Sequence, residues 1–541
     1  MFINFSDIPG HQNLFLDYLN EFNNLNSFYR YNFRDRQEYP RVFKSVSESP
    51  RPFREDVANI INFQYSGRKI SPKTAKNISL LKSKKTLAVV TGQQLGILGG
   101  PMYTFYKIIT AVKLSLHLSE RYDDYEFVPV FWLEADDHDF DEVSYIKLIN
   151  DNNELVNIKY TDNALEDVNR GSVGYQKLLN SINSFFEDVD KNVRKTDFTK
   201  KIMDHLKSFY AEGKTFKQAF ADLLFWLFDQ HGLIIFDPQD KKIKKLLAPV
   251  FQKEITDFRE HTAKLVEVSA TLEGLYHAQV KVRPVNLFLN YEDGRYLIEP
   301  VENEFRLRNK RKKYSFEELN SLIESEPERF SPNVLLRPIC QDYILPTAFY
   351  VGGPSEIAYF AQVMPLYEIF NVPAPIIYPR SSATLVEKNI STAIEKFDLK
   401  LPDIFADPEK LKDLMVSKMS EGSLENIFSK SSYEMELIFD KLQEILFDID
   451  KTMSELGNKY KQNSLNSLNQ LKGKALEAQK KKYETTLRQL DKITVNLYPD
   501  KNLQEREINF LFYANKYGLE VLDRIFEELE INIFEHQVIY L

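Results

Sequence analysis

Cysteine is almost absent from this sequence, with Cys340 as the single example. One cysteine excludes a disulfide within the chain and a zinc site built from several cysteines of one chain. No apolar run approaches the roughly 20 residues that a membrane-spanning helix needs. The N-terminal residues also lack the basic and apolar segments of a signal peptide. We therefore expect a soluble, cytoplasmic protein without a membrane partner.

A sustained basic tract is also missing, and the formal net charge is −9. Proteins that bind nucleic acid generally present a basic patch or stripe, so we expect no nucleic-acid partner. The length of 541 residues exceeds that of a typical single domain. Two or three domains are therefore predicted.

The most informative stretch begins with a β-branched run at residues 86–90, which predicts a parallel strand buried on both faces. Pro101 fits the first position of a following helix. Tyr103 and Lys107 would then lie beside the positive end of that helix, which makes the turn a candidate anion site. The turn matches neither GxxxxGK[ST] nor GxGxxG. Its glycines permit tight turns and close approach of the backbone to a ligand: Gly92, Gly96, Gly99 and Gly100.

A second apolar strand is predicted at residues 127–133. An acidic cluster follows at its carboxyl end, the edge at which open α/β sheets bind ligands. The cluster contains five carboxylates and one histidine: Asp136, Asp137, His138, Asp139, Asp141 and Glu142.

Three interpretations of this acidic cluster differ in the ligand they require. It could be a solvated loop with helix-capping aspartates, which needs no ligand. A metal site is poorly supported, since zinc favours more histidine or cysteine and a calcium loop needs alternating oxygens around a glycine. A site for a substrate amine is chemically reasonable, because His138 is a histidine beside carboxylates and can act as a general base.

A second glycine turn repeats the layout of the first. Apolar residues 347–351 lead to Gly352-Gly353-Pro354 and then to a helix beginning near Glu356. Two such turns suggest two helix N-termini that face one cleft. Residues 374–378 predict a further buried strand, which ends at Arg380 and Ser381.

The character of the sequence changes after residue 385. We predict an α/β core over residues 1–385, with insertions around 150–230 and 240–330. Residues 386–500 contain few glycines and show apolar residues at three-four spacing, which predicts two long helices in an antiparallel hairpin or coiled coil with a break near 461–463. Residues 501–541 are predicted to be helical and to return to the core.

Several strings occur together and in order between Thr91 and Asn509. They read TGQQ, GGPMYTFYK, FW followed by DDHDFDE, YHAQ, GGPSEIAYFAQ and QEREIN. In this combination the chain resembles the bacillithiol-biosynthesis cysteine-adding enzyme family over nearly its whole length.

This resemblance implies a fold and an activity. The implied fold is a Rossmann-like parallel-sheet core with insertions, related in outline to class I aminoacyl-tRNA-synthetase-like nucleotidyltransferases, and a C-terminal coiled coil that forms a homodimer. The implied activity is a ligase reaction that joins L-cysteine to glucosaminyl-malate in the last step of bacillithiol synthesis. Amide formation from a free acid needs activation, so ATP with Mg²⁺ is expected. No permanently bound cofactor and no protein-bound metal are expected.

The resemblance also implies roles for individual residues. The expected catalytic residues are Asp137, His138, Asp139 and Glu142. The expected substrate-binding residues come from the two glycine motifs and the strand end after them: Gly92, Gln93, Gln94, Gly99, Gly100, Tyr103, Thr104, Lys107, Gly352, Gly353, Ser355, Glu356, Arg380 and Ser381. Gln504, Glu505, Arg506 and Asn509 match the C-terminal string. Asp136 stands where the family pattern has glutamate, which leaves its role open.

Our hypothesis assigns His138 with Asp137 as the base that deprotonates the sugar amine. Asp139 and Glu142 would hold an ammonium or sugar hydroxyls, and Lys107 and Arg380 would add charge beside the glycine turns for malate carboxylates or a phosphate. Two alternatives remain open on the sequence alone. One is a nucleotide-binding transferase on the same core, and the other is a coiled-coil scaffold whose α/β domain only binds a small ligand.

Overall fold

The computed structural model describes residues 1–162, 169–292, 294–405, 407–419 and 424–541. The strands, in chain order, are β1 (Phe2–Ile3), β2 (Thr86–Gln94), β3 (Glu126–Glu134), β4 (Tyr145–Ile149), β5 (Leu155–Lys159), β6 (Ile234–Phe236), β7 (Leu287–Tyr291), β8 (Gly294–Val301), β9 (Glu304–Leu307), β10 (Lys313–Tyr314), β11 (Phe330–Pro332), β12 (Thr347–Gly352), β13 (Ile376–Pro379), β14 (Ser382–Val386) and β15 (His536–Tyr540).

The α-helices alternate with these strands in the first part of the chain and dominate the last part. In chain order they are α1 (Asn13–Asn20), α2 (Tyr39–Glu48), α3 (Arg54–Gln64), α4 (Pro72–Leu80), α5 (Tyr103–Arg121), α6 (Phe140–Val143), α7 (Ile182–Asn192), α8 (Thr199–Phe209), α9 (Phe216–Phe228), α10 (Lys241–Leu275), α11 (Phe316–Ser325), α12 (Arg337–Ile344), α13 (Pro354–Ile369), α14 (Lys388–Lys396), α15 (Leu401–Ile404), α16 (Pro408–Met419), α17 (Leu424–Ile449), α18 (Lys451–Lys482), α19 (Glu484–Leu497), α20 (Gln504–Glu507), α21 (Phe510–Tyr517) and α22 (Glu520–Glu528).

Five parallel strands form the central sheet in the order β13-β12-β2-β3-β6. The chain begins this sheet in its middle at β2, adds β3 and β6 on one side, and then crosses to add β12 and β13 on the other. Numbered along the chain, this is the 3-2-1-4-5 order of a Rossmann-like sheet. The predicted parallel-sheet core is therefore confirmed.

Strand β2 runs further than its apolar residues predict. It pairs with β3 from Thr86 opposite Glu126 to Gln94 opposite Glu134. Gly92 therefore lies within the strand, opposite Trp132, and the prediction that it forms part of the turn is wrong. The strand continues because its polar end still has a complete ladder partner in β3.

The two Gly-Gly-Pro sequences differ in how they lead into a helix. Pro354 is the first residue of α13, a position that suits proline, so the helix begins earlier than the predicted start near Glu356. Pro101 is not, since α5 begins at Tyr103. The backbone before α5 is engaged elsewhere, because Pro101 forms a bridge with Asn509 and the Met102 N–H donates to the Ile508 carbonyl at 3.0 Å.

Antiparallel structure is inserted between the parallel strands. The β4-β5 hairpin lies between β3 and β6, and a five-stranded sheet in the order β10-β9-β8-β7-β11 lies between β6 and β12. Residues 163–168 of the first predicted insertion lie outside the described residues. Within the described ranges, no helix is both long enough and apolar enough to cross a membrane.

The chain divides into two compact units. The first comprises Met1–Leu385 and Gln504–Ile539, and the second comprises Val386–Leu503 and Tyr540–Leu541. The C-terminal tail was predicted to be helical, but it ends in strand β15, where Gln537 pairs with Phe2 and His536 pairs with Ile3. The alternating pattern of His536–Tyr540 is too short to be separated from the preceding helices by periodicity alone.

The second unit is helical, which confirms the predicted C-terminal coiled-coil region. Helices α17 and α18 run antiparallel, since Gln443 bonds to Asn458 and Lys461 pairs with Asp440 at 2.6 Å. The predicted break near 461–463 is wrong, because α18 continues through it. The helices instead turn at Asp450, whose carboxylate caps α18 by accepting a 2.7 Å hydrogen bond from the Thr452 N–H.

Candidate active site

The strand order places one crevice at a defined point of the sheet. Strands β2 and β12 are neighbours, but the chain leaves them in opposite directions, and ligands of such sheets bind outside the carboxyl ends of the strands at this switch point. Both glycine motifs follow these two strands. We call Lys107, Glu134, Arg337 and Glu356 the crevice floor, and Asp137, His138, Asp139, Asp141 and Glu142 the acidic rim.

The first glycine turn is fixed by the C-terminal segment. Gly99 and Gly100 have φ values of +85° and +68°, which suit glycine. A Cβ on Gly99 would also lie 2.7 Å from the Phe105 ring. The Asn509 side-chain amide donates to the carbonyls of Leu98 at 2.9 Å and Gly100 at 2.6 Å. Asn509 therefore holds the turn through two of the turn's carbonyl oxygens. The turn forms a rigid side of the crevice and not a set of free amide donors.

Lys107 lies on the crevice floor with its charge compensated. Its ammonium donates to the Gly92 carbonyl and to the Gln93 side-chain oxygen, each at 2.9 Å, and forms an ion pair with Glu356. These three acceptors match the three hydrogens of an ammonium. Gln93 in turn donates to the Tyr103 hydroxyl at 3.3 Å. Lys107 therefore links both glycine motifs, and it reaches a substrate anion only by giving up one of these partners.

Glu356 completes the link from the second motif. Its carboxylate accepts hydrogen bonds from the Gly353 N–H at 2.8 Å and the Tyr350 hydroxyl at 2.6 Å. Burial disfavours its ionised form, but Lys107 and these donors outweigh burial and lower the Glu356 pKa. The neighbouring Ser355 is exposed at the start of α13. The prediction that two helix starts come together is consistent with this arrangement.

Glu134 is a floor residue that the sequence analysis did not select. Its Oε1 lies 2.9 Å from Nη1 of Arg337. The guanidinium is oriented from behind by donating to the Gln341 side chain at 2.8 Å and to the Tyr359 hydroxyl at 3.0 Å. Gly92 leaves room for the carboxylate, because a Cβ there would lie 3.3 Å from Glu134 Oε1. The sequence signal that could have identified Glu134 is a carboxylate at the last position of a buried strand.

The environment of Glu134 raises its pKa to about 7. Burial is the largest cause, and the charges of Glu356 and Asp136 act in the same direction. Arg337 opposes them by favouring the ionised form. A carboxyl group whose pKa lies near neutrality in a ligand-binding crevice can exchange a proton under physiological conditions.

Asp136 is turned inward and is neutralised by the core. It forms a 2.8 Å ion pair with Lys244 and accepts a 2.9 Å hydrogen bond from the Gln239 amide. Burial opposes ionisation, but Lys244 and the nearby Arg295 outweigh it and lower the Asp136 pKa. The shorter side chain at this position therefore holds a buried lysine and shapes the base of the acidic rim.

Asp137 connects the rim to the end of β2. Its carboxylate accepts hydrogen bonds from the Gln94 amide and from the His138 backbone N–H at 2.7 Å. Burial raises its pKa, but the interaction with the His138 side chain, the Gln94 bond, the Arg295 charge and the backbone bond prevail, so the pKa lies below its usual value. The same Gln94 amide donates to Glu142 at 2.8 Å. Asp137 is therefore a fixed anion that organises the rim.

His138 is an exposed residue of the acidic rim. Its Nδ1 lies 3.4 Å from Asp137 Oδ1 and 3.4 Å from Arg295 Nη1. Arg295 is anchored by donating to the Ser331 hydroxyl and the Pro332 carbonyl, each at 2.8 Å. About half of the His138 side chain, 49%, is exposed, so the ring reaches solvent at the mouth of the crevice.

The remaining rim residues fit the solvated-loop interpretation more closely. Asp139 caps the short helix α6 by accepting a 3.2 Å hydrogen bond from the Glu142 N–H. Asp141 pairs with Lys159 at 2.7 Å, with both side chains largely in solvent. Asp139 and Glu142 are themselves exposed, so their carboxylates can meet a cation that arrives from solution.

The residues expected after β13 are buried and bonded within the core. Arg380 forms a 2.6 Å ion pair with Glu505 of the C-terminal string and donates to the Ser381 carbonyl at 3.0 Å. The Ser381 hydroxyl donates to the Glu530 carbonyl at 3.0 Å. Thr104 is also buried, at the start of α5. Arg380, Ser381 and Thr104 are thus buried, and Glu505 of the QEREIN string is a structural partner of the strand end after β13.

The described residues contain no group of three or more histidine, cysteine or carboxylate side chains arranged to hold a metal ion. Each floor cation is paired with a carboxylate, and the rim carries a net negative charge. Such a crevice can hold a cationic amine at its mouth and exchange a proton at Glu134.

Comparison with protein families matches the chain in two parts. Residues 1–381 match the family model described as bacillithiol biosynthesis BshC, N-terminal Rossmann-like domain. Residues 383–541 match the model described as bacillithiol biosynthesis BshC, C-terminal coiled-coil domain. The two models together account for nearly the entire chain and agree with the observed parallel sheet and helical hairpin.

Curated relatives show the same pattern. The chain is 34% identical to the "Putative cysteine ligase BshC" of Salinibacter ruber, with 97% of this chain and 96% of the relative covered. It is 36% identical to the protein of that name from Chloroherpeton thalassium, with 86% and 85% covered. The name of these relatives agrees with the enzyme class that the resemblance implied. The chain belongs to the BshC family of bacillithiol biosynthesis.

Proposed function

We propose that this protein is a ligase that joins the carboxyl group of L-cysteine to the amino group of glucosaminyl-malate, in the last step of bacillithiol synthesis. The observation that carries the proposal is the crevice at the β2–β12 switch point, which combines an acidic rim with a titratable floor carboxylate. The family membership and the name of the relatives support the same reaction class.

The acidic rim suits the amine substrate. An amino sugar carries an ammonium group near neutral pH, and the exposed carboxylates of Asp139 and Glu142 attract it. The ammonium must lose a proton before it can attack a carbonyl carbon. His138 is the proposed acceptor of that proton, because it lies beside Asp137 and has access to solvent.

The cysteine carboxylate needs activation before an amine can displace an oxygen from it. We propose that ATP, carried with Mg²⁺, supplies this activation as a co-substrate. Lys107 and Arg337 are the floor cations nearest to the glycine turns, and both are held by carboxylates. An anionic substrate that replaces one of those carboxylates as a partner would gain a pre-positioned cation.

The helical hairpin supports a homodimer as part of the proposal. Helix α17 has no buried residue in the single chain. Large apolar side chains remain exposed along α17 and α18, which favours a protein surface that covers them. We propose a second copy of this chain as that surface, and light scattering at micromolar concentration tests it. The exposed residues are Leu437, Ile438, Leu442, Ile445, Ile449, Met453, Leu456 and Tyr460.

Incubation of the protein with glucosaminyl-malate, cysteine, ATP and Mg²⁺, followed by mass spectrometry, tests the ligase proposal. We expect the cysteinyl amide together with AMP or ADP, and the nucleotide product identifies the phosphate used for activation. Omitting ATP is the control and should abolish the product. If glucosaminyl-malate binds but no amide forms, the substrate assignment stands and a different cysteine donor or a partner is required. If the protein neither forms the amide nor binds glucosaminyl-malate, the ligase proposal fails and the scaffold alternative is favoured.

A further inference from the structure

We propose that Glu134 is a second proton acceptor in amide formation, acting on the nitrogen after it has attacked the activated carboxyl group. This inference rests on the proposed ligase function and deepens it. It assigns the reaction two bases, His138 at the rim and Glu134 on the floor.

Amide formation from a sugar ammonium releases two protons. A sugar ammonium, R–NH₃⁺, becomes an amide nitrogen, R–NH–CO, and loses two protons in doing so. The first leaves before attack and frees the lone pair. The N–C bond then forms, the C–O bond to the leaving group breaks with its electron pair, and the nitrogen releases the second proton. Because the first base already carries one proton, a second base that is ionised beside the reacting carbon can take the second proton.

Glu134 is placed for this task by the sheet. It ends β3, directly opposite Gln94 at the end of β2, and so lies at the edge where the switch point opens. Oε1 is held by Arg337 at 2.9 Å, whereas Oε2 accepts no hydrogen bond from the described part of the chain. About a fifth of the side chain, 22%, is exposed. One oxygen is therefore fixed and the other is open to a ligand.

The groups around Glu134 keep it poised between its two protonation states. Arg337 from α12 and Lys107 from α5 favour the carboxylate, whereas Glu356 from α13 and Asp136 after β3 favour the protonated form. Burial adds to the second effect and brings the pKa to about 7. At that pKa the carboxylate is available at neutral pH and can return the proton to water after each turnover.

Asp137 does not compete for this role. Both of its oxygens accept hydrogen bonds from Gln94 and from the backbone after it, and its pKa is lowered. A carboxylate that is stabilised in this way is a weak base. Among the described carboxyl groups near the switch point, Glu134 combines an open oxygen with a raised pKa.

The test compares wild type with Glu134→Gln and Glu134→Asp in the ligase assay, with Glu126→Gln as the control. Glu126 begins the same strand at the opposite edge of the sheet and is exposed. Below pH 7 protonation of Glu134 removes the base, so log kcat falls with decreasing pH. We expect Glu134→Gln to lower kcat about 100- to 10,000-fold and to decrease the slope of this acid limb by one.

Glu134→Asp keeps the charge pair with Arg337 but withdraws the free oxygen. We expect it to fold, to lose more than about tenfold in kcat, and to keep the wild-type slope. An unchanged kcat and slope in Glu134→Gln would overturn the inference while leaving the ligase proposal intact. If Glu134→Gln does not fold, wild-type kcat in Glu134→Asp overturns it instead. Absence of product with the wild-type protein would defeat the ligase function itself.

Discussion

The crevice floor and the acidic rim use the same charged residue types in opposite environments. On the floor, Lys107 and Glu356 are largely buried and each satisfies the other. On the rim, Asp141 and Lys159 form an ion pair of 2.7 Å, but 80% of the Asp141 side chain and 47% of the Lys159 side chain remain exposed to water. Similar contacts therefore have different consequences, because solvent compensates the rim charges and only protein groups compensate the floor charges.

This difference predicts that loss of a charged group costs more folding stability on the floor than on the rim. The floor is a rigid frame whose charges are costly to leave unpaired. The rim can lose a carboxylate without a buried charge remaining, so its residues are free to meet a ligand. Four substitutions test this difference: two change rim residues, one changes a floor residue, and one changes the residue that supports the first glycine turn.

His138→Asn should affect chemistry and leave folding almost unchanged. Asparagine cannot accept a proton near neutral pH, so kcat should fall about 100- to 10,000-fold, and the side chain is half-exposed, so the urea midpoint should stay near wild type. Steady-state kinetics and urea unfolding measure the two effects. His205→Asn on α8 is the control, because His205 stacks on Trp226 far along the chain from the rim motif. Full activity in His138→Asn would remove the base assignment.

Glu356→Gln should destabilise the fold. It leaves the Lys107 ammonium buried without a counter-charge, which costs about 3–5 kcal/mol of unfolding free energy. Urea unfolding followed by circular dichroism measures this cost. Glu368→Gln at the other end of α13 is the matched control, since its contact with Arg30 is exposed and 3.8 Å long. We expect less than about 0.5 kcal/mol there. Equal effects of the two substitutions would contradict the division between floor and surface.

Asn509→Asp tests the support beneath the floor. It removes the two donors that hold Leu98 and Gly100 but keeps the oxygen that caps α21 through the Leu511 N–H at 2.9 Å. The carboxylate would face the two buried carbonyls with an oxygen in place of the donors, which costs more than the loss of about 1–3 kcal/mol from leaving the carbonyls without a partner. Asn509→Ala removes the donors and the cap without this repulsion and should cost less than Asn509→Asp in the same unfolding measurement. If Asn509→Asp matches wild type, the turn is fixed by its glycines and packing alone.

The strands, the two glycine turns and the acidic rim could be predicted from the sequence, because short local patterns specify each of them. Apolar runs marked β2, β3, β12 and β13, and glycine with proline marked the two turns that follow β2 and β12. The acidic rim was visible because its residues lie close together in the sequence, between Asp137 and Glu142.

The partners on the floor could not be found in this way, because the chain brings them together from distant positions. Glu134 meets Arg337 and Lys107 meets Glu356 only after β12 inserts beside β2. Asn509 reaches the glycine turn from the far end of the sequence. The hairpin tip at Asp450 was missed for a local reason, since residues 461–463 are polar but compatible with a helix, whereas a capping aspartate ends one helix and begins another.

Asp141→Asn should have the smallest effect and is the strictest test of the rim. The Lys159 charge next to Asp141 lowers the Asp141 pKa, through a hydrogen bond first and its electrostatic attraction second. Because Asp141 is in solvent, water replaces its carboxylate as the partner of Lys159 in the variant. In the wild type, 1 M salt already screens the attraction between the two side chains. We expect the urea midpoint of Asp141→Asn to equal that of wild type at both low and high salt. A lower midpoint at low salt alone would show that rim electrostatics contribute to folding, and a lower midpoint at both would show that Asp141 packs as a floor residue does.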